Sequence, residues 1–156
     1  MSIDHERLGK DLILLRNRRE QAQRDRGQDL QTETRDITGA RDLATVTGAE
    51  NIAQALLLRF LTAEGELAPL GHPHYGSRLH ELIGEPNTEA NRSLAKLFAL
   101  RAVQREPRVD KVLSASVRQR TDDRGGVDID LKLKIVEADT PLNLVVPFFF
   151  NAGATP

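Results

Sequence analysis

Residues 71–108 read GHPHYGSRLHELIGEPNTEANRSLAKLFALRAVQREPR, and this stretch divides the chain into its parts. Gly71, Pro73 and Gly76 punctuate a loop. Ser77 to Ile83 then reads as a short helix with Leu79, Leu82 and Ile83 inward, and Gly84 suits the position just past its end. Pro86-Asn87 closes a turn, with Asn87 a good N-cap. The next helix runs from Thr88 to about Arg105, with Leu94, Leu97, Phe98, Ala102 and Val103 as its apolar face. A proline disfavours the α region for the residue before it, so this helix should stop by Glu106.

After Arg108 the hydrophobic period changes from 3.6 to 2. Val109 to Gln119 is one strand, and Gly125-Gly126 can turn the chain. Val127, Ile129, Leu131, Leu133 and Ile135 alternate with Asp128, Asp130, Lys132 and Lys134. That is a strand with one buried and one wet face, and the alternation sets its register. Pro141 to Phe150 is a third strand, with Leu142, Leu144, Val146, Phe148 and Phe150 facing one way. Pro147 lacks a ladder donor, which puts this strand at a sheet edge.

Upstream of the loop, Leu43 to Val46 reads as a short strand. Thr47-Gly48-Ala49-Glu50 matches a capping box, in which the Thr47 hydroxyl accepts from the Glu50 amide. The helix it opens holds Ile52, Ala53, Ala55, Leu56, Leu57, Leu58, Phe60 and Leu61. It is apolar around most of its girth, as a central core helix is. Gly65 ends that region, and Glu66 to Leu70 is a short strand or turn. Residues 1–36 form a polar extension whose one apolar patch is Leu8 with Leu12 to Leu15. Arginines 16, 18, 19, 24 and 26 follow, mixed with Glu20 and Asp25. The extension is either a solvated arm or one that orders against a partner. The expected fold is α+β: two main helices and a short helix packed on a small, mainly antiparallel sheet, in a domain of residues 37–156 behind the extension.

Composition narrows the function classes. Charged residues make up 29% of the 156 and the net charge is -1, so no global field draws in nucleic acid or a membrane. There is no cysteine, which excludes thiolate metal sites and disulfides. The N-terminus carries Asp4 and Glu6 and no long apolar run, unlike a secretory signal. No segment approaches the ~20 apolar residues of a membrane span. His72, His74 and His80 lack the four-ligand pattern of a structural zinc site. Glu64, Glu66, Glu81, Glu85 and Glu106 could pair for glycoside hydrolysis. A glycan cleft usually wants aromatic platforms, though, and the chain has no tryptophan and one tyrosine, Tyr75. No cofactor is expected. Glu106-Pro107-Arg108 remains: a helix stop with two solvated charges, or a docking contact in which Arg108 offers a planar fork to carboxylates or carbonyls. If extended, the tripeptide would project both charges to one side.

The block from Asp42 to Phe149, roughly two-thirds of the chain, resembles the baseplate-wedge sheath-initiator family of contractile phage tails, type VI secretion systems and phage-tail-like injection particles. The resemblance lies in DLATVTGAENIAQALLLRFLT, in GELAPLGHPHYGSRLHELIGE, in the helix ending in Glu106-Pro107-Arg108-Val109, and in the alternating strands that follow. It implies a structural protein and no enzyme. Glu106, Pro107 and Arg108 would dock on the helical core bundle of the baseplate wedge proteins. An open sheet edge, with Leu142, Leu144, Val146 and Phe148 as the candidate strand, would pair with the first ring of sheath subunits. The extension would reach the inner tube or hub. Copies would follow the particle's symmetry, assembled in the cytoplasm, with no nucleic acid or membrane as partner. The family also carries a lysozyme-like label, so the alternative is a small peptidoglycan-cleaving enzyme of the particle. A free adaptor that adds a strand to another protein is a third reading.

Overall fold

The structure, a computed structural model, describes residues 8–15, 31–136 and 138–151. Among these residues the order is β1 (Lys10–Leu12), β2 (Thr32–Thr34), β3 (Arg41–Leu43), β4 (Thr45–Thr47), α1 (Gly48–Leu61), 3-10 turns at Ala68–Leu70 and Arg78–Leu82, α2 (Glu89–Gln104), β5 (Val109–Gln119), β6 (Gly126–Ile135) and β7 (Leu142–Phe149). The fold is α+β, two helices with small antiparallel sheets. β5, β6 and β7 form a three-stranded sheet in that order, while β1 pairs with β4 and β2 with β3.

The sheet follows the alternation closely. Leu131 stands opposite Ala115 on one side and Leu144 on the other, and Ile129 opposite Val117 and Val146. Val127, Ile129, Leu131, Leu133 and Ile135 are buried. They share one core with Ile52, Leu56 and Leu57 of α1 and with Phe98, Ala99 and Val103 of α2. The wet face is laced with charges: Arg118 grips Asp130 with two bonds of 2.7 and 2.9 Å, and Lys134 pairs with Asp110. Such exposed pairs add little each. The burial of the other face carries the stability, at roughly 1.5–3 kcal/mol per large side chain.

Several local expectations are corrected. α2 buries Ala95, Phe98, Ala99, Ala102 and Val103, while Leu94 and Leu97 remain 40% and 42% exposed. The buried face is thus mostly alanine around Phe98 and Val103, and the two leucines are left partly exposed. The N-cap is Thr88, whose hydroxyl accepts from the Asn91 amide at 3.2 Å. Asn87 instead donates to the Arg124 carbonyl at 2.8 Å, tying the helix entrance to the β5–β6 turn. Thr47 is the residue before α1 but makes no side-chain cap; it is committed to β4, opposite Lys10. Ile83 is exposed.

Part of the N-terminal extension enters the packing. Leu8 is 4% exposed, within the core, and β1 adds a strand to β4. The Asn51 amide donates to the Leu8 carbonyl at 3.1 Å. The Gln54 amide donates to Leu12 O at 2.8 Å, and its oxygen accepts from the Leu14 amide at 2.9 Å. The leucine patch thus orders against its own domain. The arginine-rich part of the extension, residues 16–30, lies outside the described residues.

Candidate functional site

The end of α2 builds the site. The Glu106 amide donates to Val103 O and the Val109 amide to Glu106 O, each at 3.0 Å. Glu106 to Val109 is therefore a turn, and the tripeptide is not extended. The consequence falls on the side chains. Pro107 is exposed, but Glu106 is 4% exposed and points inward. Arg108 Nε donates to Glu106 Oε1 at 2.6 Å, and Arg59 Nη2 reaches Oε2 at 3.4 Å. Arg108 also donates through Nη1 to the Leu8 carbonyl at 3.1 Å. One carboxylate thus gathers α1, the start of β5 and, through Arg108, the N-terminal segment.

Burial raises the Glu106 pKa, but the hydrogen bond and charge of Arg108, the Arg108 amide and the Arg59 charge outweigh it. The carboxyl is held below its ordinary value. A general acid needs the opposite shift. Glu64 is engaged by Arg105, and Glu81 by Arg78 with two bonds of 2.7 Å. Glu66 accepts from the Ala63 amide. Each of these acids is tied to a donor of this chain. Among the described residues no group of three His, Asp or Glu could hold a metal ion. His72 and His74 sit exposed on the loop, and His80 Nδ1 lies 3.0 Å from Ser77 O.

That loop is a knuckle stapled to the end of α1. Ala63 and Ser77 form a parallel bridge. Gly76 has φ of +107°, and a Cβ there would lie 2.5 Å from the Ala63 carbonyl oxygen, so the position takes only glycine. The staple brings Tyr75 under Arg59, with the guanidinium carbon 4.6 Å from the ring centroid. Arg105 Nη1 donates to Glu64 and to the His74 carbonyl. Beside Glu106, these parts line a wide, shallow depression of about 660 Å³, bounded by Arg59, residues 71–75 and Arg105. Sequence reading passed over Arg59 and Arg105. The signal for Arg59 was present: one cation inside the apolar run Leu56-Leu57-Leu58-Arg59-Phe60-Leu61.

β7 is at the sheet edge, as Pro147 required. Leu144, Val146 and Phe148 are buried in this chain's own core and Leu142 is half-buried, so none presents its side chain outward. Asn143, Val145 and Phe149 are exposed instead. The strand can offer a partner its backbone and those three side chains.

No protein-family model and no curated protein matches the chain. A solved structure does: the crystal structure of a Geobacter sulfurreducens protein provisionally named a tail lysozyme. It shares 26% identity at a TM-score of 0.57, over 67% of this chain and 93% of that one. The likeness in sequence and backbone together supports a tail-related family for this chain.

Proposed function

We propose that this protein is a structural part of a contractile particle's baseplate, which docks on the wedge proteins and templates the first ring of the sheath. The observation that carries the reading is the similarity to a tail protein across nearly all of that protein's length. Two features of the chain favour a structural role over turnover. The Arg59–Glu106–Arg108 cluster stiffens the docking corner, and Pro107 and part of Arg108 face outward there. The edge strand β7 suits pairing with a sheath strand through the backbone. In this reading Glu106 is a positioning residue that aims Arg108.

The test is electron microscopy of particles from producing cells carrying Arg108→Ala or Val145→Lys, with the melting temperature of each purified variant measured beside it. Folded variants that yield no sheathed particles support the reading. Normal sheathed particles from both would remove it. The neighbour's name keeps peptidoglycan cleavage as the alternative. Clearing of purified cell walls by the wild-type chain, abolished in Glu64→Gln or Glu81→Gln, would establish the enzyme instead.

A further inference from the structure

The depression beside the docking corner has a charge character of its own. Among the described residues its lining holds two guanidiniums, Arg59 and Arg105, and no carboxylate. The acids behind it are already shared. Among the described residues, Arg59, Arg105 and Arg108 reach Glu64 and Glu106, three cations to two anions. Glu106 gives its short bond to Arg108 and leaves Arg59 a 3.4 Å one. Arg59 Nε, buried, has no hydrogen-bond partner among the described residues. A buried guanidinium with so few bonds is costly to keep. Tyr75 supports it through its ring face, which favours cation character but satisfies no N–H. The charge count leads to this corner, which among the described residues is one anion short.

We infer that this depression is a receptor for an aspartate or glutamate side chain of a neighbouring baseplate protein, held between Arg59 and Arg105 against Tyr75. The inference rests on the docking reading for the identity of the neighbour. It adds a residue set, a ligand chemistry and a polarity to that contact: the partner brings the acid. An acidic side chain fits the geometry because the depression is wide and open, and its walls come from a glycine-stapled loop and a helix end that are fixed before the partner arrives. The incoming carboxylate would bring the local balance to three cations and three anions. It would add a planar acceptor to the Arg59 guanidinium through its Nη groups, since Nε is buried.

Tyr75 makes the site its own reporter, because the chain has one tyrosine and no tryptophan. The experiment titrates the full chain with an end-blocked hexaglutamate peptide at constant ionic strength and follows tyrosine fluorescence. A saturable change with Kd below about 1 mM is expected, with no response to end-blocked hexaserine. His74→Glu places a carboxylate at the exposed rim and should weaken binding about tenfold or more at an unchanged melting temperature. His72→Glu is the second rim variant, should the first fail to fold. No saturable response to hexaglutamate, or wild-type affinity in both variants, would overturn the inference. So would inorganic phosphate binding as tightly as the peptide, which would make the site a general anion hole. The titration needs no particle, so its failure leaves the baseplate reading standing. Normal particles from the Arg108→Ala and Val145→Lys variants would remove the baseplate partner and leave peptide binding as measured.

Discussion

Glu106 decides more of this molecule than its place in a charged tripeptide suggests. A buried carboxylate persists only when cations and donors compensate its lost hydration, and here Arg108, its amide and Arg59 do so. Removing one partner of such a cluster leaves the others buried and unpaired. Glu106→Gln should therefore destabilise the fold by about 3 kcal/mol, read from urea unfolding at neutral pH. The pH dependence has a definite sign. The folded pKa is below the unfolded one, so the contribution is present above the unfolded value and is lost as pH falls through the folded value. Wild-type stability should drop on acidification below about pH 4.5, and the Gln variant should lack that share of the drop. A Gln variant as stable as wild type would mean that the cluster is dispensable for folding.

At the scale of elements, the loop and the helix that brackets it depend on conformations that composition alone does not rank. Gly76 and Gly71 both have positive φ, but their surroundings differ. A Cβ at Gly76 meets the Ala63 and Thr62 backbone within 2.7 Å, whereas one at Gly71 meets nothing within 4 Å. Gly76→Ala should thus cost more than about 2 kcal/mol and shift Tyr75 fluorescence, since it parts the loop from α1. Gly71→Ala should cost about 1 kcal/mol. Equal losses in thermal unfolding would argue that the staple at Ala63 and Ser77 yields easily. The strands present the opposite case. Alternation in β6 is strict, so one residue of slippage would expose Ile129, Leu131 and Leu133 together, and the register is read directly from the sequence. The face of α2 is less determined, because leucines and alanines flank each other along it. The buried side joins Ala95, Ala99 and Ala102 to Phe98 and Val103 and leaves two leucines out, so hydrophobicity alone does not single it out.

For the whole molecule, the N-terminal segment is the larger lesson. A polar context made residues 8–15 read as part of an arm. Their bonds run to Asn51, Gln54 and Arg108, residues 40 to 100 positions away in sequence, and no local pattern reports partners that distant. Deleting residues 1–15 should lower stability by about 2–4 kcal/mol, from the loss of buried Leu8 and the stranding of two buried amide side chains. Unchanged unfolding of the shortened chain would restore the arm to a purely external role. The same distance argument explains the site. Arg59, Tyr75, Arg105 and Glu106 come from α1, the loop and the end of α2, and only the packing of these elements makes a depression of them.

The α+β class, the strand alternation, the edge position of β7 and the end of α2 before Glu106 are legible in the sequence. Each follows from periodicity or from the sterics of proline, which act over a few residues. Tertiary structure alone decided that Glu106 faces inward, that the leucine patch belongs to the core, and that Arg59 stands over Tyr75 beside an open depression. Those outcomes depend on long-range contacts between groups whose local preferences are equally met in several orientations, and burial with charge pairing selects among them.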